Sequence, residues 1–288
     1  MSVQVARRSA ARADIDAGRI GRLAVRALYH EAALYPKPGL VSPVDSGSHD
    51  DMSMATFYRS LFALRGYFAA MASLGGGQAP WRTLRDKGIA AEAAMLRATG
   101  GVNTHRGAIF NLGLICAAAG ELAATSRALD ALSVCAVVRA RYGRVILRGL
   151  GSATTVSHGL HAARAFGIGG ARAEAAGGFR SVRTWALPLY RRAYADTGDR
   201  ERAGVAALLA LIAHVDDTNL LWRGGREGLA FAQREAQALL DDGAMTDANG
   251  RDRVAALHRE FVARRLSPGG SADLLAVTLL LDALDAPA

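Results

Sequence analysis

Between two apolar, helix-patterned runs lies the stretch Tyr35 to Met52, YPKPGLVSPVDSGSHDDM. Pro36, Pro38, Gly39, Pro43 and Gly47 forbid a continuous helix through it, because proline lacks the donor a helix needs and glycine favours turns. Irregular segments longer than about 12–15 residues are uncommon inside compact domains and are usually functional or disordered. This one carries Lys37, Asp45, His49, Asp50 and Asp51, that is, a cation, a base and three carboxylates. An active-site loop and a surface connector with solvated charges both account for those residues.

The flanking sequence predicts an all-α fold. Hydrophobic residues make up 51% of the 288 residues and aromatics only 6%, so an alanine-rich core of closely packed helices is favoured over β structure. Ile15, Ile20, Leu23, Ala24, Ala27, Leu28 and Leu34 fall mostly on one helical face over 14–34, with Glu31 near its end. Further helices are predicted from Ser53 as N-cap, over 81–98, from Asn103 or Thr104 to about 119, and over 128–141, 157–166, 182–194, 200–214, 228–240 and 248–266. A last helix follows SPGGS. The segment 145–150 suits a short strand or a turn, and 167–179 a glycine-rich loop. The expectation is a single all-α catalytic domain over 14–288, with about ten to twelve helices and functional loops at their ends, behind a flexible tail at 1–13.

The excess of 9 positive charges is carried almost wholly by arginine, Lys37 and Lys87 being the only lysines. Arginine forks suit phosphate and carboxylate, so an anionic ligand is plausible, although a GC-rich genome yields the same bias. The positive charge is scattered and no nucleic-acid-binding signature stands out. Cys116 and Cys135 form neither a metal pair nor a disulfide framework. The N-terminus lacks an apolar core of signal-peptide length, and the longest apolar run is far short of the roughly 20 residues that span a bilayer. A cytoplasmic protein with no nucleic-acid or membrane partner is expected.

Several segments carry chemistry. GGVNTHRGAIF places His105 and Arg106 in the first turn of a helix, where a basic residue opposes the dipole unless an anion binds. In GIGGARAEAAGGF, Arg172 and Glu174 stand among glycines that let backbone approach a ligand, or form an exposed salt bridge. Asp216, Asp217, Thr218, Asn219 and Arg223 cluster in DDTNLLWRGG; they supply hard oxygen ligands of the kind Mg²⁺ takes, or a helix cap. In SPGGSADLLA, Gly269 and Gly270 leave N–H groups for an oxyanion between Ser267 and Ser271, and no Walker A loop is present.

Taken in order, PKPGLV…SGSHDDM, GGVNTHRGAIF, ARAEAAGGF, DDTNLLWRGG and SPGGSADLLA resemble the triphosphoribosyl-dephospho-coenzyme A synthase family, from about Glu31 to Ala276. Arg106 stands where that family often has Lys, and GARAEA where it often has GIRGEA. The compact length resembles the malonate decarboxylase branch, with the citrate lyase branch the close competitor.

The resemblance implies a transferase that moves the 5-triphosphoribosyl group of ATP to the 2′-hydroxyl of 3′-dephospho-CoA and releases adenine. The product would pass to a prosthetic-group transferase and an acyl carrier subunit. It implies Mg²⁺, with Asp50, Asp216 and Asp217 as candidate ligands. Lys37, Asn103, Thr104, His105, Arg106, Arg172, Arg223, Ser267, Gly269, Gly270 and Ser271 become candidates for substrate and phosphate binding. Glu174, Asp50 and His49 are candidates for the base that N-glycosidic transfer through an oxocarbenium-like state requires. A metal-dependent nucleotide hydrolase and a non-catalytic helical binding protein are the rival readings.

Overall fold

A computed structural model of the chain describes residues 3–149, 169–243, 247 and 249–286, with side chains from residue 16 onward. Helices account for the regular structure, and no strand occurs among the described residues. In chain order they are α1 (Val3–Ala33), α2 (Met54–Leu64), α3 (Tyr67–Gly76), α4 (Trp81–Ala98), α5 (Arg106–Ala124), α6 (Ala131–Val137) and α7 (Gly143–Arg148). After the undescribed stretch come α8 (Gly170–Ala176), α9 (Leu187–Thr197), α10 (Arg200–His214), α11 (Thr218–Asp241), α12 (Gly250–Ala263) and α13 (Gly269–Asp285). Wide π turns at Val138–Tyr142 and Val182–Ala186 lead into α7 and α9.

The centre of the core is α5, whose residues from Ile109 to Leu122 are buried on nearly every face, with Phe110 and Glu121 the partly open ones. It is apolar and long enough to pass a length test for a membrane span, yet α1, α3 and α13 enclose it. The closest crossing is α3 on α5. A Cβ on Gly75 would lie 1.9 Å from the Ala117 carbonyl oxygen, and one on Gly120 1.9 Å from that of Ala72. Small residues therefore set the interaxial distance, and the alanine-rich composition becomes a packing device.

Acidic caps place the helix starts. Asp199 accepts from Glu201 N (2.8 Å) and Arg202 N (3.2 Å) at α10, and Asp130 accepts from Ser133 N (2.9 Å) at α6.

Several boundaries depart from the sequence expectation. Over 145–150 the sequence suits a strand or a turn, but Gly143–Arg148 is helix, because Ile146 is buried and α7 packs on α8. The supposed glycine loop holds α8, where Ala, Arg and Glu outweigh the flanking glycines as helix formers. The helix expected over 228–240 begins ten residues earlier in α11 and bends at Gly225 (φ 62°, ψ −161°), a conformation suited to glycine. Helical backbone starts at Val3, within the segment expected to be a tail. The helix expected over 157–166, with His158 and His161, lies outside the described residues.

Candidate active site

The stretch from Tyr35 to Ser53 crosses the bundle as a packed strap. Lys37, Leu40 and Val41 are buried. A Cβ on Gly39 (φ +69°) would collide with the Leu266 carbonyl oxygen, so the close approach needs glycine there. His258 on α12 sits 2.8 Å from the Lys37 carbonyl oxygen through Nδ1 and 3.0 Å from Asp45 Oδ2 through Nε2. Ser48 Oγ donates to the Leu266 carbonyl oxygen (2.5 Å).

Beneath the strap opens a cleft of about 1630 Å³. That exceeds the roughly 300–1,000 Å³ typical of a single small-molecule site. Its walls include Lys37, His49, Asn103, Thr104, His105, Arg106, Arg172, Glu174, Asp216, Asp217, Arg223, Ser267, Gly269 and Gly270. All five sequence motifs thus meet in one place. Asp50 and Ser271 are not among the lining residues, and Asp51 faces the cleft instead of Asp50.

Many of these side chains are already engaged by the protein. Lys37 Nζ donates to the Glu31 carbonyl oxygen (2.7 Å), Glu31 Oε1 (2.9 Å) and the Ala32 carbonyl oxygen (3.2 Å), so all three ammonium hydrogens have partners. Asp217 Oδ1 accepts from Asn219 N (2.8 Å) and Leu220 N (3.4 Å), and its Oδ2 from Ser271 N (2.7 Å) and Ser271 Oγ (2.9 Å). One carboxylate caps α11 and ties it to the start of α13. Burial nevertheless holds its carboxyl above the usual range, against the hydrogen bonds that favour the anion. Glu174 accepts from Ser181 N (3.1 Å) and Ser181 Oγ (2.6 Å). Arg223 donates to the carbonyl oxygens of Ser48 (3.0 Å) and Arg265 (3.2 Å), bracing the strap against the end of α12.

The two cleft histidines differ. Arg223 Nη2 lies 3.1 Å from His49 Nδ1 and can only donate, so Nδ1 accepts and Nε2–H donates to Ser267 Oγ (2.9 Å). Burial and the Arg223 charge lower the pKa of His49. His105 is buried at the start of α5, with Nδ1 2.6 Å from Ser60 Oγ and Nε2 without a partner among the described residues. Burial, reinforced by the Lys37 charge, pushes its pKa down to about 3, so it is a neutral imidazole at physiological pH.

Anion binding at the start of α5 was expected from its free N–H groups. Arg106 N instead donates to Asn103 Oδ1 (3.1 Å), Ala108 N–H is taken by Asp273, and the Arg106 guanidinium pairs with Glu92. The unengaged cations lie elsewhere. Arg148 ends α7 and Arg180 follows α8; both line the cleft and are exposed, with no partner among the described residues. Arg172 joins them, its Nη1 donating to the Gly149 carbonyl oxygen (3.1 Å). Sequence reading passed over Arg148 and Arg180 because arginine is common throughout the chain. It also passed over Asp273 as a site residue; the only signal was its place one turn into the final helix.

Of the three carboxylates expected to hold magnesium, Asp216 and Asp217 line the cleft and Asp50 does not. Asp217 accepts from four donors, Asp50 lies off the cleft wall, and of the three only Asp216 faces the cleft without an ion pair or hydrogen bond among the described residues. No group of three metal-ligating side chains occurs among the described residues. Both cysteines are free and buried.

The helical frame, the large cleft, its arginines and its acidic floor of Glu31, Asp217 and Asp273 define an all-α enzyme working on anionic substrates. The chain matches, over residues 17–288, the CitG family, described as ATP:dephospho-CoA triphosphoribosyl transferase, and it belongs to that family; it is a transferase. It is 42% identical over 263 residues to a probable 2-(5″-triphosphoribosyl)-3′-dephosphocoenzyme-A synthase of Acinetobacter calcoaceticus, covering 91% of this chain and 90% of the relative. A synthase of the same name from Klebsiella pneumoniae is 44% identical over 272 residues, covering 91% and 90%. No solved structure matches the chain.

Proposed function

We propose that the cleft binds ATP and 3′-dephospho-CoA together and transfers the intact 5-triphosphoribosyl group to the 2′-hydroxyl of dephospho-CoA, releasing adenine. The observation that carries this reading is one cleft of about 1630 Å³ lined by Arg148, Arg172 and Arg180. Three guanidinium groups suit a triphosphate that must be held and not cleaved. The volume suits two nucleotide-bearing substrates at once.

The bond from ribose C1 to adenine N9 breaks with its electron pair going to the base, and the dephospho-CoA oxygen bonds to the same carbon. Positive charge that develops on the ribose is favoured by the carboxylates of Glu31 and Asp217 on the floor of the cleft. Magnesium is proposed to arrive with the triphosphate, since this ion keeps much of its shell as water and phosphate oxygen, and Asp216 is the acidic side chain left to meet it.

The product is proposed to pass to a prosthetic-group transferase and then to an acyl carrier subunit, that of malonate decarboxylase in preference to citrate lyase. A cytoplasmic location follows from where both nucleotides are found. The test is chromatographic. Adenine should appear only when ATP and dephospho-CoA are both present; phosphate release from ATP alone would point to a hydrolase. Coupled loading of either carrier subunit decides the branch.

A further inference from the structure

We propose that Asp273 is the group that hands a proton to the departing adenine and recovers one from the attacking hydroxyl; this rests on the reaction proposed above. The side chain stands one turn into α13 and lines the cleft. It is fixed from behind. A Cβ on Gly107 would lie 1.9 Å from Asp273 Oδ2, so the carboxyl rests directly on the backbone of α5, where Ala108 N–H donates to it.

The other cleft carboxylates are committed. Glu31 is held by Lys37, Glu92 by Arg106, Glu174 by Ser181, and Asp217 by the starts of α11 and α13. Asp51 and Asp216 are exposed to solvent. His49 has both ring nitrogens occupied.

Asp273 alone combines a half-buried place on the cleft wall with no side-chain donor and no cation against it among the described residues. The charged groups that act on it are Glu31 from α1 and Asp217 before α11, and Lys37 from the strap is spent on Glu31. Burial, then the charges of Glu31 and Asp217, hold its carboxyl well above the usual range, which favours the protonated acid. The unpartnered Nε2 of His105 belongs to the same cleft.

The balance closes without a further reactant. The Asp273 acid gives its proton to the adenine ring as the C1–N9 bond breaks. The carboxylate left behind takes up, through cleft water, the proton that the 2′-hydroxyl loses as its oxygen bonds to C1. One proton moves from hydroxyl to adenine, and Asp273 ends as it began.

The test compares leaving groups. A base methylated at N7 departs without needing a proton. Asp273→Asn should lower kcat with ATP by at least about a hundredfold, within the range of general acid catalysis, but by less than about tenfold with N7-methylated ATP. An equal loss on both substrates, or no loss on ATP, overturns the proposal. Should Asp273→Asn fail to fold, Asp273→Ser, smaller and uncharged, carries the same comparison. If the wild-type protein forms no adenine from ATP and dephospho-CoA, the reaction itself is wrong; if it does and the variant matches it, only the role of Asp273 is.

Discussion

Asp217 joins two helix starts through one carboxylate, so its removal is a matter of folding. Asp217→Ala leaves first-turn N–H groups of α11 and the backbone and hydroxyl of Ser271 without their acceptor. Losing a cap costs about 0.5–2 kcal/mol and a stranded buried donor about 1–3 kcal/mol. Urea unfolding should show a loss of about 2–4 kcal/mol. A variant of wild-type stability with a shifted Mg²⁺ requirement would return Asp217 to the metal.

His105 sets an acid limit. Its folded pKa, about 3, lies below the unfolded 6.5, so its contribution is present above pH 6.5 and is lost as pH falls towards 3. Between pH 6.5 and 5 the loss is about 2 kcal/mol. Asp217 and Asp273, with raised pKa values, act in the opposite sense, their contributions falling as pH rises through those values. The difference between wild type and His105→Asn isolates the histidine: the variant should lose less stability over that interval, and equal slopes would contradict the assignment. At this scale the sequence revealed which residues gather but not what each touches. Lys37 and Arg223 read as phosphate ligands because charge is visible in a sequence, whereas the carbonyl oxygens that occupy them come from residues near and far in the chain.

At the scale of elements, the α3–α5 crossing depends on glycine. Gly120→Ala would press a methyl group onto the Ala72 carbonyl oxygen inside the core, whereas Gly66→Ala meets nothing within 4 Å. Overpacking costs about 1–3 kcal/mol, and glycine to alanine at an unstrained site gains about 0.4–1 kcal/mol. Thermal melts should therefore move in opposite directions, and two equal shifts would contradict the packing account.

The α7–α8 unit carries the arginine wall. Arg180→Ala should raise KM for ATP about tenfold, equivalent to about 1.4 kcal/mol, with little change in Tm because the side chain has no described partner. An unchanged KM would remove it from the triphosphate site. This unit was also the least legible. Val145 and Ile146 suggested a strand by local preference, and glycines around Ala171–Glu174 suggested a loop; burial against each other made both segments helical. By contrast α4 and α10 were expected over 81–98 and 200–214 and run over Trp81–Ala98 and Arg200–His214, because their patterns end at recognisable punctuation.

Across the whole molecule, helix ends separated by more than two hundred residues in sequence converge on one cleft. Their ordered motifs made that convergence legible, although periodicity alone could not say which helix lies beside which. The central claim is that the triphosphate moves as a unit with the ribose. ATP labelled with ³²P in its γ-phosphate, incubated with the protein and 3′-dephospho-CoA, follows that unit directly. The account predicts that label enters a dephospho-CoA derivative in equal amount to the adenine released, with none as free phosphate. Label found as inorganic phosphate or pyrophosphate, or left wholly in ATP, would contradict it.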